Sequence, residues 1–231
     1  SHYPHQPSYA LISGLSKKYN VKDSQIILGN GSDELIQMIA AAFLNPNEDV
    51  LNSLETFSVY TFVTHLFNGN IKNIPLINDK HDMDQFLKSI TPKTKLIFFA
   101  NPNNPTGTYI THSELDEFLS SIPRNIIVVM DEAYARYSTA SDFPDSVELI
   151  KTYPNLVVFR TFSKLYGLAG FRIGYALGNE DLIKVIQKVR PPFNVNSLAL
   201  KAAELALSKT KFVNDSLRLN EEGKAYLMNA L

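Results

Sequence analysis

The amino-acid sequence predicts an α/β fold, in which a mostly parallel seven-stranded sheet lies between two layers of helices as a three-layer α/β/α sandwich. The short apolar runs are rich in Ile, Val, Leu and Phe without clear polar alternation, which is typical of strands buried on both faces. These runs alternate with longer amphipathic segments, as strands and helices do in doubly wound sheets. The sequence has no internal repeat and no Gly/Ser-rich linker that would divide it.

Each element can be placed in chain order. The candidate strands are Gln25–Leu28, Asp49–Asn52, Asn70–Pro75, Lys95–Ala100, Asn125–Asp131, Leu156–Thr161 and Arg172–Leu177. The candidate helices around them are Tyr9–Tyr19, Asp33–Leu44, Val59–Asn68, Met83–Ser89, Ser113–Leu119 and Val147–Lys151. After Asn179 the pattern is helical throughout, with candidate helices at Asp181–Val189, Ser197–Leu207 and Val213–Leu227.

The ends of the chain predict a fragment of a longer protein, because it begins without Met and stops inside a helical pattern. We expect residues 1–210 to form one large domain. Residues 211–231 would then form a helix that leads towards a small C-terminal domain outside this chain.

Composition limits the classes of partner. A net charge of −1 gives no broad attraction to nucleic acid or to an anionic membrane, so we expect neither as a partner. The absence of cysteine excludes disulfides and thiolate metal sites and is compatible with a cytoplasmic location, which we expect. No apolar run approaches the length of a membrane span, and no His/Asp/Glu ligand pattern indicates a metal.

Polar groups follow four candidate strands, and ligands of such sheets bind beyond the carboxyl ends of the strands. After the first strand, Gly29 and Gly31 allow a tight turn, and the N–H groups of Ser32 and Asp33 at a helix N-terminus suit a phosphate. Two alternatives remain open here. One is a dinucleotide fingerprint, although Glu34 replaces its third glycine, and the other is a plain turn with Ser32 or Asp33 as helix cap.

A stiff polar loop, Asn101-Pro102-Asn103-Asn104-Pro105-Thr106-Gly107, follows the fourth strand. Its prolines restrict the backbone and aim the amides between them, so that Asn104 can donate to an anionic oxygen. The alternative is an ordinary turn.

A carboxylate, Asp131, ends the apolar run of the fifth strand. Such a group is costly to bury unless it is hydrogen-bonded or paired with a cation, and Tyr134 follows one helical turn later. A helix cap or a structural salt bridge is the alternative interpretation of Asp131.

The most specific segment is Thr161-Phe162-Ser163-Lys164-Leu165-Tyr166-Gly167, with Arg172 further along. Because its neighbours are apolar, we expect Lys164 to be buried. Burial lowers the pKa of an amine, which makes it a usable nucleophile. Arg172 is a permanent planar cation that suits a phosphate.

Together these groups provide what pyridoxal 5'-phosphate (PLP) needs: a nucleophilic lysine, a carboxylate for the pyridine nitrogen, hydrogen-bond donors and a phosphate site. The motifs Asn104-Pro105-Thr106-Gly107, Asp131-Glu132-Ala133-Tyr134 and Ser163-Lys164…Arg172 resemble those of the fold-type-I PLP aminotransferases. Tyr3-Pro4, Gly29–Glu34, Thr161–Gly170 and Arg190–Val195 resemble, within that superfamily, the histidinol-phosphate aminotransferases.

The resemblance implies that residues 1–210 are the PLP-binding large domain and assigns roles at its centre. Lys164 carries PLP through a Schiff base and then moves the proton between the substrate and the cofactor, while Asp131 pairs with the pyridine nitrogen. Asn104 and Tyr134 bond the phenolate oxygen. Phe57 stacks on the ring, with plain core packing as the alternative.

The resemblance also implies a phosphate site and a homodimer. The phosphate is held by backbone N–H groups of the Gly31–Asp33 turn, by the hydroxyls of Thr161 and Ser163, and by Arg172. Tyr3 reaches the phosphate of the neighbouring subunit, which implies shared active sites.

The reaction implied is transfer of an amino group between L-histidinol phosphate and 2-oxoglutarate in histidine biosynthesis. The N-terminal arm and the small domain with the carboxylate-binding arginine of that family are absent from the sequence, so the fragment itself can be inactive. The alternatives are another PLP enzyme, such as threonine-phosphate decarboxylase or an aromatic aminotransferase, a nucleotide-binding dehydrogenase domain, and a non-catalytic dimerising domain.

Overall fold

A single seven-stranded sheet forms the centre of the computed structural model, which describes residues 9–231. Its strands are β1 Ile26–Gly29, β2 Asp49–Ser53, β3 Asn70–Ile74, β4 Thr94–Ala100, β5 Ile127–Asp131, β6 Leu156–Thr161 and β7 Gly174–Gly178. They lie in the order β1-β7-β6-β5-β4-β2-β3. Only β7 is reversed, since it pairs antiparallel with both β1 and β6 while the other pairs are parallel. The predicted fold class is confirmed.

Helices cover both faces of the sheet. They are α1 Tyr9–Tyr19, α2 Ser32–Phe43, α3 Val59–Leu66, α4 Met83–Ser89, α5 His112–Ser121, α6 Ser146–Leu149, α7 Glu180–Gln187, α8 Ser197–Leu207 and α9 Thr210–Ala230. One apolar core lies between the sheet and α1, α4, α5, α6 and α8, and a second lies between the sheet and α2, α3 and α7. Each helical segment predicted from the sequence corresponds to one of these helices.

Strand burial follows position in the sheet. Every residue of β5, at the centre, is buried, as the uninterrupted apolar run predicts. The expectation of burial on both faces is wrong for β3, where only Ile74 is buried. This strand lies at the edge of the sheet and carries Asn70, Lys72 and Asn73, so water can solvate its polar side chains.

The topology gathers several polar segments at one edge. Strands β1, β2, β4, β5 and β6 run in the same direction, so their carboxyl ends lie on the same side of the sheet. Gly29, Ser53, Ala100, Asp131 and Thr161 are their last residues. The turn, the Asn-Pro loop, the carboxylate and the lysine segment therefore meet around one region.

Helix α9 packs on the core through its N-terminal part. Val213 in its first turn is buried, whereas Leu219, Tyr226 and Met228 are exposed. The predicted domain boundary near residue 210 falls at the start of α9, and both this boundary and the small domain beyond it stay predictions. None of the helices in residues 9–231 combines the length and apolar composition that a bilayer crossing requires.

Candidate functional site

A cavity of about 180 Å³ lies at the carboxyl ends of the strands. Ten residues predicted as cofactor contacts line it: Ser32, Asp33, Phe57, Asn104, Asp131, Tyr134, Thr161, Ser163, Lys164 and Arg172. Gly31 lies directly behind Arg172, and Tyr3 lies outside the described residues. Residues separated by more than a hundred positions in the sequence thus share one small cavity.

One end of the cavity is built to attract an anion. Helix α2 begins at Ser32, and its N-cap is Gly31, with a φ of 81° and no side-chain cap. The alternative in which Ser32 or Asp33 caps the helix is therefore wrong, and the first N–H groups of α2 stay open to a ligand. Arg172 completes this end and donates from Nη2 to Asp33 Oδ2 at 3.1 Å. Asp33 thus holds the Arg172 guanidinium beside the N-terminus of α2.

Gly31 is required by the close approach of Arg172. A Cβ added at residue 31 would overlap the Arg172 guanidinium, and the positive φ also disfavours any other residue. We expect Gly31→Ala to displace Arg172 and to weaken PLP binding by about tenfold or more, the equivalent of roughly 1.4 kcal/mol. The dissociation constant from an absorbance titration checks this.

Gly107→Ala is the matched control for that variant. Gly107 also has a positive φ, of 73°, but a Cβ there would meet no atom within 4 Å. Gly107→Ala therefore has the same kind of backbone strain as Gly31→Ala but no overlap with a neighbouring side chain. Equal loss of PLP affinity in both variants would show that strain, and not displacement of Arg172, is the cause.

The same cavity holds a buried carboxylate. Asp131 is 5% exposed, and it accepts hydrogen bonds from the Tyr60 hydroxyl at 2.9 Å and from the Ala133 N–H at 3.2 Å. Burial raises the pKa of Asp131 to about 6, although the two hydrogen bonds by themselves lower it. No cation pairs with Asp131 within residues 9–231. A cationic ligand group would supply the missing charge.

The raised pKa predicts how pH affects stability. Because Asp131 titrates at about 6 in the folded chain and near 4 when unfolded, its stabilising contribution is full at acid pH. That contribution is lost as the pH rises through about 6. We expect the PLP-free chain to lose this component of its free energy of unfolding across that range, and Asp131→Asn to remove the loss. Urea unfolding at several pH values measures it, and parallel profiles for the two proteins would refute the assignment.

The Asn-Pro loop is held in place because two of its side-chain amides bond the backbone of neighbouring segments. Asn101 accepts from the Ile110 N–H at 2.8 Å, and Asn103 donates to the Glu55 carbonyl at 3.0 Å. By contrast, the Asn104 amide and the Tyr134 hydroxyl make no hydrogen bond within residues 9–231, and both line the cavity. These two groups are placed to donate to a ligand oxygen.

Lys164 lies where this cavity meets a larger one of about 740 Å³. Its Nζ is 5.2 Å from the centre of the Tyr134 ring. The expected burial of Lys164 is wrong for this chain, since the side chain is exposed. It follows the last residues of β6 into a turn at the boundary between the two cavities, where it is accessible from both. Asn220 and Lys224 of α9 line the larger cavity.

Sequence reasoning missed Tyr60, and it did not predict the contacts of Asn194. Tyr60 lines the cavity and bonds Asp131, and the only signal in the sequence is its position one helical turn after Phe57. Asn194, in the segment that resembles histidinol-phosphate aminotransferases, donates to Glu34 Oε2 at 2.6 Å and to the Leu28 carbonyl at 3.2 Å. That segment supports the turn before α2 and lines neither cavity.

The charge distribution of the cavity fits PLP. The N-terminus of α2 and Arg172 suit its phosphate, and the buried Asp131, which has no cationic partner within residues 9–231, suits a protonated ring nitrogen. Phe57 is half-buried on the cavity wall, available for ring contact. No group of three or more His, Asp or Glu side chains in the described chain is arranged to hold a metal ion.

Comparison with known proteins decides the family. Residues 1–230 match the family model for aminotransferase class I and II. The chain belongs to this family. The dehydrogenase interpretation of the Gly29–Gly31 turn is therefore wrong, and class I and II membership indicates PLP as the cofactor.

Relatives within the class I and II family point in the same direction. Histidinol-phosphate aminotransferase 1 of Mannheimia succiniciproducens is 44% identical over 94% of this chain and 60% of its own length. The solved histidinol-phosphate aminotransferase of Sinorhizobium meliloti, in complex with pyridoxal-5'-phosphate, has a TM-score of 0.88 at 26% identity, over 94% of this chain and 59% of that one. The L-threonine-O-3-phosphate decarboxylase of Porphyromonas gingivalis has a TM-score of 0.86 at 25% identity, over 100% and 67%. The chain spans about three fifths of the length of the curated relatives it matches.

Proposed function

We propose that this chain is the cofactor-binding part of a PLP-dependent histidinol-phosphate aminotransferase. The observation that carries the proposal is the convergence of Lys164, Asp131 and Arg172 on one cavity. The curated relatives at 44% identity support the substrate assignment. The reaction proposed for the whole protein moves an amino group between L-histidinol phosphate and 2-oxoglutarate, as a step of histidine biosynthesis.

Different residues of the cavity bind different parts of the cofactor. Arg172 and the first N–H groups of α2 bind the phosphate, assisted by the hydroxyls of Thr161 and Ser163. Phe57 packs on the ring. Asn104 and Tyr134, which have no other partner within residues 9–231, donate to the phenolate oxygen. These contacts would hold the cofactor in the cavity, where Asp131 would pair with its ring nitrogen.

Lys164 holds the cofactor and moves the proton. PLP supplies an electron-withdrawing ring that stabilises negative charge next to the amino group of the substrate. Lys164 would hold the cofactor through its Nζ, and once the amine of the substrate had displaced it, the freed Nζ would take the proton from the substrate Cα and return it on the cofactor side. Its place at the junction of the two cavities lets it reach the ring on one side and a substrate in the larger cavity on the other.

Asp131 controls the charge of the ring. Its carboxylate retains the proton on the pyridine nitrogen, which keeps the ring electron-deficient. Tyr60 and Ala133 hold the carboxylate in a fixed orientation, so no reorganisation is needed when charge develops.

The proposal includes a cytoplasmic homodimer. Its support is the resemblance of Tyr3 to a residue that reaches the phosphate of a neighbouring subunit. The absence of cysteine is compatible with the location.

Rapid mixing of the full-length, PLP-loaded protein with candidate amino donors tests the substrate. We expect L-histidinol phosphate to convert the cofactor band at least about a hundredfold faster, per unit concentration, than L-phenylalanine or L-aspartate, because it offers a phosphate for charge-assisted hydrogen bonds. O-phospho-L-threonine is the matched control, since the decarboxylase of similar fold favours it as the second candidate. Carbon dioxide release from O-phospho-L-threonine would replace the proposal with a decarboxylase.

A further inference from the structure

Tyr60 is a buried phenol beside the cofactor cavity, and none of the predicted contacts accounts for it. It lies in the first turn of α3 and is 0% exposed. Its ring stacks on Phe98 at 4.8 Å with an interplanar angle of 6° and meets the edge of Phe57 at 5.6 Å and 83°. A phenylalanine would satisfy this packing equally well, so the hydroxyl requires a separate explanation.

The hydroxyl of Tyr60 is committed to Asp131. Burying a hydroxyl is unfavourable unless it is hydrogen-bonded, and this one donates to Asp131 Oδ2 at 2.9 Å. Burial and the adjacent Asp131 charge raise the pKa of Tyr60 well above its usual value, so the phenol keeps its proton and stays a donor. Asp131 Oδ1 takes the Ala133 N–H. One donor on each oxygen therefore fixes the plane of the carboxylate.

The donor also decides where a shared proton resides. A carboxylate that accepts a hydrogen bond is a weaker base than one that does not. Like charges at Asp33 and Glu132, together with burial, make Asp131 more basic, and Tyr60 opposes them. Without Tyr60, Asp131 would compete more strongly for a proton on a ligand nitrogen.

We propose that Tyr60 is a positioning residue for Asp131, whose hydroxyl orients the carboxylate towards the ring nitrogen and keeps the shared proton on that nitrogen. This inference rests on the proposed role of Asp131 in PLP binding. Tyr60 bonds Asp131 and acts through it.

The test is the ¹⁵N NMR shift of PLP labelled at its ring nitrogen and bound to the chain. In the unaltered chain we expect the shift of a protonated nitrogen. In Tyr60→Phe the shift should move towards the unprotonated value, and PLP affinity should fall about tenfold to a hundredfold, as for a lost hydrogen bond to a charged group. Tyr175→Phe is the control. Tyr175 is also buried, its hydroxyl lies 2.7 Å from that of Tyr19, and it lines neither cavity.

A double-mutant cycle separates this role from a structural one. If Tyr60 acts through Asp131, removing its hydroxyl should change PLP affinity by less than about twofold in an Asp131→Asn background. An equal loss in both backgrounds, or an unchanged ¹⁵N shift in Tyr60→Phe, would overturn the inference. Failure of the unaltered chain to bind PLP at Lys164 would instead overturn the proposed function.

Discussion

Asp131→Asn should slow the amino-donor half-reaction of the full-length protein by about 10²- to 10³-fold, the scale of losing one preorganised electrostatic contact in a buried site. The amide occupies nearly the same volume and can still accept from Tyr60, so packing changes little. It carries no negative charge, however, and cannot retain the proton on the ring nitrogen. Single-turnover mixing with L-histidinol phosphate measures this loss.

Asp116→Asn is the matched control for that prediction. Asp116 lies on α5, accepts the Tyr153 hydroxyl at 2.7 Å and lines neither cavity. Its variant should react at close to the unaltered rate. A half-reaction within roughly tenfold of normal in PLP-loaded Asp131→Asn would contradict the role given to Asp131.

Glu132→Gln should lower the free energy of unfolding by about 3–5 kcal/mol, because it leaves a buried arginine without its partner. The Glu132 carboxylate is fully buried and contacts the guanidinium of Arg160, which is itself only 14% exposed. Burial raises the pKa of Glu132, and the charge of Arg160 opposes that effect. Urea unfolding monitored by circular dichroism measures the change.

Two further variants test the cause of that loss of stability. Glu180→Gln breaks an exposed pair with Lys22, which solvent screens, and should lower the free energy of unfolding far less than Glu132→Gln. Combining Glu132→Gln with Arg160→Met removes both buried charges and should recover part of the lost stability. A single-variant loss no larger than that of Glu180→Gln would mean that Arg160 finds water or another partner when Glu132 is changed.

The sequence predicted the fold because its signals are local. The runs of β4 and β5 are long, apolar and uninterrupted, and the segments between them have helical spacing, so the elements could be placed in order. The strand-end rule then placed Asn104, Asp131 and Lys164 at one edge. The polar character of edge strand β3 was not recognised, because a single sequence does not say which strand lies outermost.

What the sequence could not provide is contact geometry. The bond between Tyr60 and Asp131 joins residues 71 positions apart, and no local pattern distinguishes this tyrosine from an ordinary core residue. The exposure of Lys164 was likewise mispredicted, because an apolar neighbourhood in sequence does not fix which way a turn presents its side chain. The bond between Asn194 and Glu34 likewise joins distant residues, so no local pattern could predict it.

The most direct test of the account is the site at which PLP attaches. The chain is incubated with PLP, reduced with borohydride and digested, and the modified peptide is identified by mass spectrometry. We expect the label on Lys164, no label in Lys164→Arg, and normal labelling in Lys224→Arg, which alters the other lysine lining the larger cavity. Labelling of Lys224 in place of Lys164, or equal labelling of Lys164→Arg and the unaltered chain, would contradict the assignment of Lys164 as the cofactor lysine.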